Sequence, residues 1–225
     1  TWDALRMTIA SALGLGLSGI PYTGPDIGGF SGDPPAELYL RWFQMAAFMP
    51  FFRTHSAIGT ARREPWVYGE PYTRIIREYM HLRQRLMPYF YTLAWEASRT
   101  GTPWLRPLWW ADVEDPKLWQ VEDAFLVGEA LLAAPALMAD QDGRDLRLPE
   151  GRWYSFWDEA VYQGPANVDL PVSLERIPLL VRAGSVLPLS SGENLALHIY
   201  APHEKDPQPQ TQRLYSDCGD GNEAQ

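Results

Sequence analysis

Asp26, Arg53 and His55 are the residues whose types and spacing can do chemistry. Asp26 closes the stretch Ile20-Pro21-Tyr22-Thr23-Gly24-Pro25. Ile27-Gly28-Gly29-Phe30 follows it, where two glycines let the backbone turn tightly or a ligand approach. Arg53 and His55 come directly after Phe51-Phe52, two residues apart, a spacing that puts both side chains on one face of a strand. A carboxylate accepts hydrogen bonds from hydroxyls, and a neutral imidazole both donates and accepts. The set suits a ring carrying vicinal hydroxyls, with Arg53 placed to orient Asp26 or a ligand oxygen by a charge-assisted bond. A structural reading stands beside it: Asp26 capping a turn, an Asp26–Arg53 salt bridge tying loop ends, His55 satisfied within the fold. A retaining glycosidase needs two carboxylates about 5–5.5 Å apart. Only Asp26 stands at a convincing strand end, and no second carboxylate matches it.

The elements that must carry these residues read as alternating strands and helices. Trp2, Leu5, Ile9 and Leu13 predict a helix over 2–13, with Thr1 as cap and Gly14 as stop. The apolar run 15–20 reads as a buried strand, and 21–35 as loop. Asp33 before Pro34 suits a helix start, and Leu38, Trp42 and Met45 predict a second helix over 35–48 that Pro50 ends. Phe51-Phe52 reads as a second short strand. Parallel β/α folds bind ligands where strands end at their carboxyl side, which is where Asp26, Arg53 and His55 fall. Glu37 and Arg41 read as a solvated i, i+4 pair. The most regular helix runs from Ile75 through Tyr79, Leu82, Leu86, Phe90 and Leu93 to Ala97, kinked at Pro88 and stopped by Gly101.

Beyond Gly101 the period changes. Phe125–Val127, Leu146–Leu148, Trp153–Trp157 and Ile177–Leu180 are short runs between Gly, Pro and Asp turns, and Ile177, Leu179 and Val181 alternate. The organisation expected is therefore β/α over 1–103, a β-sandwich over 104–192, and a truncated further β-domain over 193–225. Arg106 stands where it can tie the first two together.

The chain carries 10 Trp, 11 Tyr and 8 Phe. These rings fill large cores or stack on the apolar faces of sugars; Trp42, Tyr89, Tyr91 and Trp95 read as core. A net charge of -9 argues against a nucleic-acid phosphate backbone as partner. No run of 18 apolar residues suggests a membrane span. One cysteine, Cys218, forms no internal disulfide, and no Cys/His zinc spacing occurs. Asp217-Cys218-Gly219-Asp220-Gly221 does not match a calcium loop, so neither metal nor cofactor is expected. The chain opens on Thr1 in a helical pattern, which reads as starting inside a fold, and the composition suits a cytoplasmic protein.

Several segments, in order, resemble glycoside hydrolase family 31, the α-glucosidase and α-xylosidase family. They are Gly16–Phe30, Arg41-Trp42-Phe43-Gln44, Phe48–His55, Arg63-Glu64-Pro65-Trp66, Leu86–Leu93, Gly101–Leu108 and Ile177–Pro188. Tyr215-Ser216-Asp217 is a weaker match to a Tyr-x-Asp-Asp-Gly turn, with Cys218 in place of the second Asp. The resemblance implies the last units of a (β/α)8 barrel, a proximal β-sandwich and the start of a distal one. It implies that Asp26 and His55 line the subsite of the non-reducing sugar, with Phe30 beside them and Arg53 near Asp26. The aspartate nucleophile and aspartate acid/base of the family belong to earlier strands, so both are expected upstream of Thr1. The substrate is then an oligosaccharide or α-glucoside, and the missing N-terminal part of the same protein is the required partner. The rival readings are a noncatalytic carbohydrate-binding or structural β-sandwich module, and a transglycosylase or lyase of the same family.

Overall fold

The computed structural model describes residues 1–202 and 212–219. Four helices, α1 (Trp2–Leu17), α2 (Ala36–Ala46), α3 (Tyr72–Arg85) and α4 (Met87–Thr100), precede the sheet strands. Strands β1 (Leu105–Arg106), β2 (Phe125–Val127), β3 (Leu131–Ala133), β4 (Gly143–Ser155), β5 (Val161–Pro171) and β6 (Leu179–Arg182) form one antiparallel sheet in the order β1-β2-β3-β6-β4-β5. A hairpin, β7 (Val186–Ser191) and β8 (Asn194–Ile199), turns at Gly192. It straddles the expected boundary at 192/193. The last two residues of the expected Asp217–Gly221 turn, 220–221, lie outside the described residues.

The middle of the large sheet is buried on both faces, and its residues sort by parity. Phe125, Val127, Leu131, Ala133, Leu179 and Val181 pack with the helices. Leu126, Leu132 and Leu180 point the other way, into a second cluster built on Trp153, Leu146 and Leu148. Successive side chains of a strand point to opposite faces, so three short apolar runs serve two cores at once. The alternation of Ile177, Leu179 and Val181 thus corresponds to the helix-facing side. The expected runs 146–148 and 153–157 belong largely to one long strand, β4, irregular between Leu148 and Gly151.

Three helical expectations change. Helix α1 passes through Gly14 to Leu17, and Ser18 closes it, with its N–H and hydroxyl both donating to the Gly14 carbonyl. The run 15–20 is therefore the last helical turn and its exit, not a strand. Gly16 is needed there because a Cβ would come within 3.0 Å of Pro103 Cβ. Thr1 does cap this helix, accepting from Ala4 N–H at 3.2 Å. Asp33 makes no cap for α2; its Oδ1 accepts from Ala61 N–H at 2.8 Å and binds a later loop. The long helix is two: α3 ends at Arg85 and α4 starts at Met87, with Pro88 in the first turn, where its missing N–H costs nothing. Gly101 stops α4 in the left-handed conformation, φ 75°.

Buried polar side chains fasten helices to sheet. Arg41, expected in water, is 2 % exposed. It donates to the Ser173 carbonyl at 2.7 Å and pairs with Glu37 at 3.3 Å, while Gln44 donates to the Leu174 carbonyl at 2.9 Å. Tyr79 hydroxyl accepts from Ile177 N–H, and Tyr89 hydroxyl donates to Val127 carbonyl at 2.6 Å and accepts from Ala130 N–H. Arg106 pairs with Glu96 of α4 at 3.0 Å and with Glu129 at 3.4 Å, joining the two regions as its position suggests. Trp42 and Tyr89 lie in the core, whereas Tyr91 and Trp95 do not; Tyr215 covers them from the far end of the chain. It stacks on Trp95 at 5.1 Å, and Asp217 accepts from both Tyr91 and Tyr215 hydroxyls.

Three outcomes follow from these contacts. Arg41→Ala strands the Ser173 carbonyl and Glu37 and is expected to cost about 3–5 kcal/mol of unfolding free energy by chemical denaturation. Arg74→Ala breaks only exposed pairs, with Glu78 at 2.9 Å and Glu175 at 3.4 Å, and should cost under about 1 kcal/mol. The phenols of Tyr91 and Tyr215 hold the Asp217 carboxyl below the usual carboxylate range. A depressed folded pKa stabilises above the unfolded pKa and is lost as pH falls through the folded one. Tyr215 should therefore leave Trp95 only below about pH 4, seen by NMR, and Asp217→Asn should abolish that acid transition.

Candidate functional site

The loop 26–32 and the segment 51–57 lie side by side and carry all four residues singled out in the sequence. Phe51 N–H donates to Thr23 carbonyl, Ile27 N–H to Arg53 carbonyl at 3.0 Å, and Ala57 N–H to Phe30 carbonyl at 2.8 Å. Asp26 and Arg53 form a parallel bridge. The two segments run parallel through this single bridge; the strand expected over 15–20 is not part of it, and the bridge falls in the stretch expected as loop. Close backbone approach makes it possible: a Cβ on Gly24 would sit 2.5 Å from the Phe51 carbonyl oxygen.

After Asp26 the chain reverses through Gly28 and Gly29, at φ 86° and 82°. Gly29 N–H closes the turn on the Asp26 carbonyl at 2.9 Å. Ile27 is fully buried between the two polar ends of the loop, which anchors the turn. Beneath it, α2 brings Tyr39 and Trp42 so close that a Cβ at Gly28 or Gly29 would meet their rings at 2.9 and 3.3 Å. Local sequence therefore folds this way because glycine alone fits both the dihedrals and the space.

Asp26 Oδ1 accepts from Arg53 Nε at 2.8 Å. The carboxylate is 19 % exposed and the guanidinium 56 %, so the pair faces outward with the acid partly sheltered. The Phe30 and His55 rings lie 5.7 Å apart and tilted by 37°, both exposed. The structure thus groups Asp26 with Arg53 and Phe30 with His55 on two adjoining segments. Arg53 also stands 5.8 Å over the Phe51 ring. The two adjoining segments thus carry an ion pair and, separately, an exposed imidazole beside an exposed aromatic ring. Such groups can accept from and donate to hydroxyls and stack an apolar ring face.

Two arginines that shape these segments were not singled out for that. Arg63 is buried and donates to the Gly29 and Gly32 carbonyls, while Tyr39 hydroxyl donates to the Arg63 carbonyl at 2.7 Å. Arg83 donates to the Ala47, Met49 and Pro50 carbonyls at 2.8, 2.8 and 3.1 Å, and lies over the Phe52 ring at 4.9 Å. Burial pulls its guanidinium down to about 10, still charged near neutral pH. A signal for Arg83 existed: it sits four residues after Tyr79 and three before Leu86, on the buried stripe of α3. Among the described residues no group of three or more acids, histidines or cysteines stands ready to hold a metal ion. No helix there is long and apolar enough to cross a membrane.

Comparison with known proteins defines the class. Residues 1–93 match the glycosyl hydrolases family 31 TIM-barrel domain, and residues 101–187 match the glycosyl hydrolase family 31 C-terminal domain. The chain belongs to glycosyl hydrolase family 31. It is 38% identical over 207 residues to alpha-glucosidase 2 of Bacillus thermoamyloliquefaciens, covering 88% of this chain and 26% of that protein. It is 44% identical over 188 residues to a probable glucan 1,3-alpha-glucosidase of Oryza sativa, covering 83% and 20%. A family 31 dextranase of Flavobacterium johnsoniae, solved with glucose, superposes with a TM-score of 0.84 at 32% identity over 90% of this chain and 27% of its own. The chain thus spans about a fifth to a quarter of the length of the curated relatives it matches.

The contrast between two glycines tests the local argument. Gly24→Ala should lower stability by about 1–3 kcal/mol, since the added methyl overpacks against Phe51 backbone. Gly14→Ala, in α1 with nothing within 4 Å of the added carbon, should raise it by about 0.5–1 kcal/mol. Urea denaturation of both variants measures the difference.

Proposed function

We propose that this chain is a fragment of a retaining α-glycosidase that hydrolyses terminal α-linked glucose or a related sugar in oligosaccharides, and that it supplies part of the sugar pocket. In this reading residues 1–103 are the last units of a (β/α)8 barrel, and a proximal β-sandwich and the start of a distal β-domain follow. Asp26, Phe30, Arg53 and His55 line the subsite of the non-reducing sugar. The observation that carries the reading is the Asp26–Arg53 ion pair set on a parallel bridge beside the Phe30–His55 pair.

Asp26, oriented by Arg53, accepts hydrogen bonds from sugar hydroxyls. His55 donates or accepts at a neighbouring hydroxyl, and Phe30 offers a ring to the apolar face of the sugar. The nucleophile and acid/base lie upstream of Thr1 and act by double displacement through a covalent glycosyl-enzyme. Hydrogen bonds that tighten as the ring flattens toward its oxocarbenium-like state stabilise the transition state more than the ground state. Support for a missing neighbour comes from α1, which leaves Met7 and Leu15 exposed on the lining of a groove of about 380 Å³. The missing N-terminal part of the same protein would cover it. The names of the relatives, alpha-glucosidase and glucan 1,3-alpha-glucosidase, favour glucose as the sugar.

The purified chain is expected to show no turnover of an aryl α-glucoside. Measurable hydrolysis by it would mean that the catalytic pair lies elsewhere than proposed. In a longer protein that contains the preceding barrel strands, Asp26→Ala should lower kcat/KM about 10- to 100-fold, the worth of a hydrogen bond to a charged group. An unchanged kcat/KM would remove Asp26 from the subsite.

A further inference from the structure

A second cleft, of about 400 Å³, opens between α3 and the β8 end of the hairpin, with Phe156 and Trp157 at its base. It shares no lining residue with the Asp26 face. Leu82, Phe156 and Trp157 give it apolar surface. Trp157 is fixed there: its indole N–H donates to Ile177 carbonyl at 2.7 Å, and Phe156 meets it edge-on at 5.2 Å. Tyr200 closes one side, backed by Tyr154 at 5.9 Å, and burial pushes the Tyr200 phenol up, so it stays a donor.

The rim carries one guanidinium and two imidazoles. His81 and Arg85 of α3 and His198 of β8 all line the cleft and are all exposed. Among the described residues none of the three makes a salt bridge. Glu78, the one acid of the lining, is already bound by Arg74 at 2.9 Å. A guanidinium recognises phosphate and carboxylate by paired N–H bonds, and imidazoles and a phenol supply further donors. Apolar ring surface with convergent polar groups in a concavity is the general form of a small-molecule site.

We propose that this cleft binds an anionic pyranose, a sugar ring bearing a phosphate or a carboxylate. The ring lies on the Phe156–Trp157 surface, and its anion is held by Arg85, His81 and His198. The site is separate from the Asp26 subsite, so its failure leaves the glycosidase reading untouched.

Isothermal titration of the 225-residue chain at constant ionic strength tests it, with glucose 6-phosphate, glucuronate, glucose and inorganic phosphate as probes. At least one of the two anionic sugars should saturate, and which of them binds tighter identifies phosphate or carboxylate as the anion. Glucose and inorganic phosphate should each bind at least tenfold more weakly than that sugar. Arg85→Gln and His198→Ala should each weaken that binding at least tenfold without moving the thermal melting midpoint. Glucose binding as tightly as its phosphate, no saturation by either anionic sugar, or full affinity in both variants would overturn the proposal. Inorganic phosphate binding as tightly as the sugar phosphate would overturn the ring contact.

Discussion

Backbone carbonyls that neither helix nor sheet can satisfy are the constraint on this chain, and arginine meets it. A buried C=O without a donor costs free energy comparable to a lost hydrogen bond. Arg41 reaches the Ser173 carbonyl, Arg106 the Pro103 carbonyl at 3.1 Å, and Arg144 the Asp123 carbonyl at 3.0 Å. Arg63 takes two carbonyls of the loop that follows Asp26, and Arg83 takes three at the end of α2. Each of these sits where irregular backbone is pressed against a helix or the sheet. The loops are held by side chains because their own hydrogen-bond ladders are nearly absent.

That constraint reaches the candidate site directly. Asp26 and Arg53 share a single bridge, so no extended sheet fixes their separation. The position of Asp26 is set by the turn at Gly28 and Gly29, whose carbonyl side is gripped by Arg63. The position of Arg53 is set by the segment leaving α2, gripped by Arg83. Both clamps lean on α2 or α3, and α2 is tied to the sheet through Arg41 and Gln44. The face that presents the ion pair is therefore positioned by contacts that reach to residues 173–174, far along the sequence. This makes the sheet region part of the site's support rather than an appendage.

The period-two pattern was legible because burial on both faces leaves few choices. Residues 125–127, 131–133 and 179–181 are apolar throughout, and Ile177, Leu179 and Val181 declare the helix-facing side. Gly101 and Pro88 were legible as punctuation, since one lacks a Cβ and the other an N–H. The run 15–20 was misread because a short apolar stretch with glycines suits a buried strand and a helix end alike. The helix is closed by Ser18 on the Gly14 carbonyl, and Gly16 packs closely against Pro103, a distant contact that no local pattern reveals. Arg41 was misread because an i, i+4 pair has the same letters whether wet or dry. Tyr91 and Trp95 were read as core because their cover, Tyr215, comes 120 residues after Trp95. The Asp26 and His55 positions stood out for a different reason: a charge or imidazole at the end of an apolar run needs a local explanation.

The choice of cation follows from the same geometry. Of 19 basic residues only Lys117 and Lys205 are lysines, although exposed pairs such as Arg62–Glu64 and Arg74–Glu78 could be made with either. An ammonium is a compact, strongly hydrated charge, and its desolvation is opposed more strongly than that of a delocalised guanidinium. Its three donors also diverge, whereas the planar fork of Arg83 meets the Ala47, Met49 and Pro50 carbonyls together. The flat face of the same group rests on the Phe52 and Phe90 rings, at 4.9 and 5.4 Å, an environment that favours a weakly hydrated cation. A chain that buries its loops against aromatic helices thus needs arginine in particular.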